Sequence, residues 1–529
     1  MKKINLYILA FSLFIMSSCS DFLNTDPPTT VSDTNFYKTT DDAFKALVGC
    51  YDGLQIIWSS GGLPVYAEVL SDNAFAGGGY YDGYGYSMLD EFDKLTSPSD
   101  QSLFGDNWSN YYKAIYRCNV FLQKLDQIDW GTQPELRATY EAETKFIRAF
   151  LYFDMVRLWG NIPLLTEPTT EIVPQANPDD VYKLIADDLT FAAENLSALS
   201  YTAQPVSTHG RITKWAAESL IARVFLYYTG YYSQTDLVGV VSKAQALAYV
   251  EDVIANSGHD LIDDFAKLWP AASLDNYAGE DNKETVFAIK YTSTSDYSGN
   301  TDGNHWMIMF GIREQSSYPY GNGWGFSTVN GKLWNLYDGT DTRKVASIIS
   351  IDDEDITFTK LANQREYTGY YNKKYAPMVD EDGTPLPETL YGNTSFQIGQ
   401  FEDFVSIRYS DVLLMAAELG SADAQSYFDK VRQRAYKANF SQILVTQDNI
   451  MKERQLEFAG EGIRYWDLLR SGVDVAANTI AESTSLLNGG IAHDKIITAA
   501  KIQETKGLQQ IPYNQITLSG DKLVQNQGW

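Results

Sequence analysis

From Asp41 onward, apolar side chains return every three or four positions. In "DDAFKALVGCYDGLQ", Ala43, Leu47 and Cys50 repeat at near-helical spacing. "NWSNYYKAIYRCNVFLQKL" sets Trp108, Tyr112, Ile115, Val120 and Leu122 on one broad stripe. "YEAETKFIRAFLYFDMVRLWGNIPL" gives the clearest pattern, with Ala142, Phe146, Ala149, Phe153 and Val156 lining an inner face. Gly160 and then Pro163 follow it in the order that ends a helix. The same period runs through "DDVYKLIADDLTFAAENL", "ITKWAAESLIARVFLYY", "KAQALAYVEDVIAN", "VSIRYSDVLLMAAEL" and "ADAQSYFDKVRQRAY". Helices in consecutive pairs, with Ala216, Ala217, Ala416 and Ala417 at close contacts, predict helix–turn–helix units. The expected fold is mainly α, an α/α superhelix of tetratricopeptide-like helix pairs.

Two stretches, 59–102 and 291–391, break this period and predict a large irregular, loop-rich subdomain. The second holds "SSYPYGNGWGFSTVNGKLWNLY", with six aromatic residues and four glycines. Glycine at that density disfavours regular elements, and loops lie on the surface, so rings here are expected to face water. Trp334, Leu336 and Tyr337 read as core. Tyr320 and Trp324, flanked by glycines, read as open. Tyr80, Tyr81 and Tyr84 share the glycine context in "FAGGGYYDGYGYSML", and Trp306 follows His305 in polar surroundings.

Lys2 and Lys3, an apolar run from Ile4 to Met16, and the small pair Ser17 and Ser18 have the layout of a secretory signal. The run is shorter than the ~20 residues a membrane span needs. Cys19 after the small pair reads as the lipidated residue of a bacterial lipoprotein, with 1–18 as signal peptide and the polar 19–40 as tether. Met16 departs from the leucine usual three places before such a cysteine. The formal charge is −27, which disfavours nucleic acid and anionic lipid headgroups and suits a neutral or cationic ligand. Cys50 and Cys118 sit in apolar helical contexts and read as buried free thiols rather than a bridge.

Signatures of chemistry are sparse. The four histidines are far apart in sequence, without the spacing of a zinc site. "DYSGNTDG" partly matches a calcium loop but has Ser298 and Met309 where carboxylates belong. "DDED" at 352–355 reads as a solvated acidic turn before it reads as a structural calcium site. No other cofactor is indicated. A glycosidase needs two carboxylates about 5–10 Å apart, and 68 acidic residues make that condition uninformative.

Seven blocks in order carry a resemblance: "DFLNTDPPTT", "NFYKTTDDAFKALVGCYDGL", "KFIRAFLYFDMVRLWGNIPL", "GRITKWAAESLIARVFLY", "IRYSDVLLMAAEL", "IMKERQLEFAGEGIRYWDLLR" and "QQIPYNQITLSGDKLVQNQGW". The chain resembles the SusD/RagB nutrient-binding lipoproteins over nearly its whole length after Cys19, departing at "AELGSADAQ". The regions implied are 41–260, helical repeats, and 261–529, with loop-rich ligand-binding insertions, packed as one unit. The resemblance implies a non-catalytic lipoprotein of the outer membrane, facing the cell surface. It would deliver oligosaccharides to a SusC-like TonB-dependent β-barrel. A peptide cargo for a similar importer and a surface glycosidase are the alternatives. By position, "EVLSDNAF" offers Asp72 and Asn73 as binders of sugar hydroxyls. Local composition adds Tyr80, Tyr81, Trp306, Tyr320 and Trp324 as stacking rings, because an aromatic face matches the C–H face of a pyranose. Within "IMKERQLEFAGEGIRYWDLLR", Arg454 and Glu457, and Glu461 and Arg464, are spaced to pair along a helix, with Gly460 and Gly462 breaking it between them. A structural ion-pair network is the favoured role for these charges over catalysis.

Overall fold

The computed structural model describes residues 36–60, 62–82, 88–92 and 103–529. Cys19, the signal, most of the tether and Tyr84 lie outside them. Among the described residues no helix is long and apolar enough to cross a membrane.

The helical array begins with α1 (Thr40–Ser60) and α2 (Leu63–Val69), followed by α3 (Gly105–Lys124) and α4 (Pro134–Trp159). It continues through α5 (Pro178–Asn195), α6 (Lys214–Tyr231) and α7 (Lys243–Asn256). Further on come α8 (Tyr409–Leu419), α9 (Ala424–Tyr436), α10 (Gln447–Glu457) and α11 (Arg464–Arg470). Local chemistry sets the starts. Asn177 accepts from the Asp179 amide, Thr213 from the Ala216 amide, and Ser242 and Gln245 form a reciprocal capping box. Gly160 ends α4 with φ of 67°, as its sequence predicts.

α1 packs on α3, α3 on α4, α4 on α5, α5 on α6, α6 on α7, and α7 on α8, which pairs with α9. This is an α/α superhelix of helix pairs. One apolar core runs through it from Ala43 to Leu523. Cys50 and Cys118 are free, buried thiols in that core.

The two aperiodic stretches are insertions, one inside the first helix pair and one between α7 and α8. They are less irregular than their composition suggests. Ala74–Ala76 from the first pairs antiparallel with Ser327–Val329 from the second, with Phe75 opposite Thr328. Tyr370–Asn372 and Ile348–Ser350 complete a four-stranded sheet. Strands of three residues leave no period to read, and each is fixed only by a distant partner. A hairpin, Glu482–Asn488 with Ile491–Ile497, lies beside the first insertion. The buried Lys495 holds it there, 2.8 Å from both Asp90 and Glu91.

The charges near the C-terminus form a buried network rather than pairs along one helix. Gly460 (φ 80°) and Gly462 (φ 72°) do break the chain between α10 and α11. Arg454, however, reaches Asp411 and Asp467, and Glu457 takes Arg343, Arg408 and Arg434. Glu461 binds Lys374 and Arg408, and Arg464 binds Asp72. The expected contacts three residues apart give way to bonds between elements, because the side chains face the interior where several elements converge. Burial alone would raise the Glu457 carboxyl, yet Arg434, Arg408 and Arg343 hold it well below the usual carboxylate range.

Candidate functional site

Where the two insertions meet, the surface opens into a cleft of about 610 Å³. Gly77 and Gly78 of the first insertion form part of its floor, with Gly323 of the second. The backbones are stitched directly: the Gly78 amide donates to Gly325 O at 2.7 Å, and the Gly77 amide to Phe326 O at 2.8 Å. Glycine is required by this approach. A Cβ on Gly77 would lie 2.5 Å from Gly325 O, and one on Gly323 would lie 2.3 Å from the Gly311 backbone. The density of glycine that reads as an open loop therefore serves close contact between strands.

Trp324 forms one wall. It is half-buried and packs edge-to-face on His305, with centroids 5.3 Å apart. Tyr66, Met309 and Phe326 supply further apolar lining. Burial holds the His305 imidazole below its ordinary pKa. The polar lining is Asp82, Arg313, Glu314, Asn322, Arg365 and Gln397. Arg313 Nη1 reaches Asp82 Oδ2 at 3.2 Å, and Nη2 reaches Glu314 Oε1 at 3.1 Å. Arg313 Nε and Asn322 Oδ1 are buried without a partner. Such unmet groups cost about 1–3 kcal/mol each. On the rim, Tyr80 and Tyr81 pack edge-to-face at 5.1 Å, and Tyr81 is 85% exposed. The Tyr80 ring lies over Gly489 at the hairpin tip, where a Cβ would come within 3.1 Å of it.

The sequence-predicted residues divide. Trp324 lines the cleft, and Tyr80 and Tyr81 are exposed beside it. Trp306 lines the cleft by an edge but is only 1% exposed, enclosed by Phe310, Tyr375 and Phe404. Its open placement is corrected: it is a core residue. Tyr320 is also buried, and its hydroxyl donates to Glu354 Oε2 at 2.6 Å. Its flanking glycines serve backbone contact, as Gly321 does against Pro377 O at 2.6 Å. Asp72 and Asn73 are corrected too. Asp72 binds Arg464 in bidentate fashion at 2.8 and 3.0 Å. Asn73 is buried between Glu68, at 3.1 Å, and Gln455, at 3.0 Å. The pair clasps the first insertion to α10 and α11, and neither side chain lines the cleft. The polar residues that do line it carry no motif. Only the polar neighbours of Trp324 and Tyr81 in the sequence, Asn322 and Asp82, hinted at them.

Tyr337 is buried as expected, and Trp334 is half-buried against Tyr370. The 352–355 turn folds on itself, with Ser350 Oγ donating to Asp353 and Lys373 paired to Glu354. Among the described residues no group of three or more His, Cys, Asp or Glu could hold a metal ion.

Residues 356–529 match the family model described as SusD family, and residues 68–226 match one described as starch-binding associating with outer membrane. The segment carrying Arg313 and Trp324 lies between the two matches. SusD-like protein P25 of Formosa agariphila is 25% identical over 509 residues, covering 89% of this chain and 90% of that one. A SusD-like protein of Bacteroides ovatus is 26% identical, covering 88% and 82%. Among solved structures, a laminarin binding SusD-like protein superposes with a TM-score of 0.72 at 26% identity, covering 93% of this chain and all of that one. Surface glycan-binding protein A from Bacteroides fluxus superposes with a TM-score of 0.75 at 24% identity, over 93% and all of the chains, a likeness of fold. Two family models matched in chain order on either side of the segment carrying Arg313 and Trp324, relatives aligned along nearly the whole length and the same helical architecture agree: the chain belongs to the SusD family.

Proposed function

We propose that this protein is a non-catalytic, cell-surface glycan-binding lipoprotein. Anchored in the outer membrane through Cys19, it captures oligosaccharides and delivers them to a SusC-like TonB-dependent transporter. One observation carries the reading: a half-open tryptophan face stands in a cleft of 610 Å³ whose remaining lining is rich in hydrogen-bonding groups. Such a cleft lies in the size range of small-molecule sites. A pyranose lays its C–H face on Trp324 while its rim hydroxyls meet Asp82, Glu314, Asn322 and Gln397. Tyr80 and Tyr81 extend the platform outward. The family's description as starch-binding and outer-membrane-associated supports the reading, as does the laminarin ligand named for a similar structure.

Asp82 and Glu314 share one guanidinium. That arrangement ties both carboxylates to one cation and does not set an acid and a nucleophile on either side of a glycosidic bond. Modest affinity suffices if the transporter supplies a second contact, because linked weak sites raise effective concentration. The test is a glycan array and a polysaccharide affinity-gel screen with the detergent-solubilised full chain. Retention by at least one glycan is expected. Binding confined to peptides, or release of reducing ends by pure protein, overturns the proposal.

A further inference from the structure

The charges around the cleft cancel, and what they leave is uncharged. Arg313, 9% exposed in its side chain, is bracketed by Asp82 and Glu314. The other guanidinium of the wall, Arg365, turns Nη2 to the carbonyls of Tyr80 and Asp82, at 2.8 and 3.4 Å. The carboxylates have further ties: Asp82 Oδ2 accepts from the Gly79 amide and Glu314 Oε2 from Asn363 Nδ2, each at 2.7 Å. His305, packed on Trp324, is held below its ordinary pKa by burial, which disfavours its cationic form. The two signs are not equally accessible. Asp82 and Glu314 are 54% and 44% exposed, while the cation between them is covered. An approaching ligand meets negative charge first, on a chain of net charge −27.

We infer that the cleft selects uncharged oligosaccharides and rejects the same backbones carrying carboxylate or sulfate groups. This rests on the cleft being the glycan site. A hydroxyl both donates and accepts, so it can donate to the exposed carboxylates of Asp82 and Glu314. An anionic oxygen only accepts. It can donate to neither and sets a charge beside both exposed carboxylates.

The test is calorimetric titration of the detergent-solubilised full chain with matched oligosaccharides of three to six units. Each neutral member is paired with a twin of the same linkage bearing C6 carboxylates or sulfate esters. The neutral member is expected to bind at least about tenfold tighter, with the gap shrinking at high salt. Glu314→Gln removes one balancing charge from Arg313 and is expected to narrow the gap by strengthening binding of the charged twin. A charged twin that binds as tightly as its neutral partner, or tighter, overturns the selectivity and leaves glycan capture standing. A gap that Glu314→Gln leaves untouched overturns the electrostatic basis. Absence of binding by every pair overturns capture as well.

Discussion

At the scale of single residues, two tryptophans eighteen positions apart do different work. Trp324 shows part of a ring to the cleft, and Trp306 is sealed in the core. Trp324→Ala is expected to weaken glycan binding about five- to tenfold, the worth of one aromatic stacking contact. Because the ring also packs on His305, unfolding should become easier by about 1–2 kcal/mol. Trp306→Ala should cost about 3–5 kcal/mol of stability, since it empties a core site. Titration calorimetry with thermal unfolding separates the two, and equal affinity in the first variant removes Trp324 from the site. Asp72→Ala belongs with Trp306. It strips the bidentate partner from Arg464 and should destabilise by about 2–3 kcal/mol, whatever happens to binding. These contrasts show what the sequence conveys about a site. Glycine beside an aromatic residue signals an unusual backbone, and at Trp324 that backbone opens onto the cleft. At Tyr320 the same signal marks a backbone contact against Pro377, because local composition does not say which side of the loop faces water.

Among the elements, legibility follows length. α4 declares itself through an apolar stripe repeated from Ala142 to Val156 and a glycine stop, because successive turns repeat the same message. The four-stranded sheet stays hidden, because Ala74–Ala76 is three residues whose meaning lies with Ser327–Val329 more than two hundred positions away. Helix contacts also bury charges that periodicity labels as surface. Glu218 on α6 faces α7, beside Lys214 at 3.3 Å, and Lys214 also serves Asp252. Burial pushes the Glu218 carboxyl up to about 8, against the pull of Lys214, and Asp252 adds to the rise. Its folded pKa therefore lies above its unfolded value. The folded chain holds an extra proton between about pH 4.5 and 8, and this group's contribution falls as pH climbs through that window. Glu218→Gln removes the titration. Relative to the parent, the variant should gain about 3–4 kcal/mol between pH 5 and pH 8.5, measured by denaturant unfolding at each pH. A constant difference across that range would show that the carboxylate is charged throughout.

For the whole molecule, the question is whether the helical array and the insertions fold separately. We propose that they fold together, because contacts tie the array to the insertions and to the chain beyond residue 260. Phe146 of α4 meets Phe287 edge-to-face at 5.0 Å, and Tyr227 of α6 meets Trp466 of α11 at 6.3 Å. Trp159 donates Nε1 to Gln510 O at 3.2 Å, and Gln55 of α1 reaches the carbonyls of Lys290 and Asp302. The Glu68 carboxylate on α2 accepts from the Gly462 amide at 2.7 Å, so even the first insertion is held by the last helices. Cutting near residue 260 would strip partners from α1, α4 and α6 together and expose a continuous apolar face. The full chain is therefore expected to unfold in one cooperative transition, with calorimetric and van't Hoff enthalpies equal. A fragment of residues 36–260 should show helical circular dichroism without a cooperative melt. Two resolved transitions, or a fragment that melts sharply alone, would mean that the cleft's walls rest on independent bodies. One transition would mean that the interlocked core holds Trp324, Arg313 and the glycine floor in place before a ligand arrives, so that binding orders little of the protein.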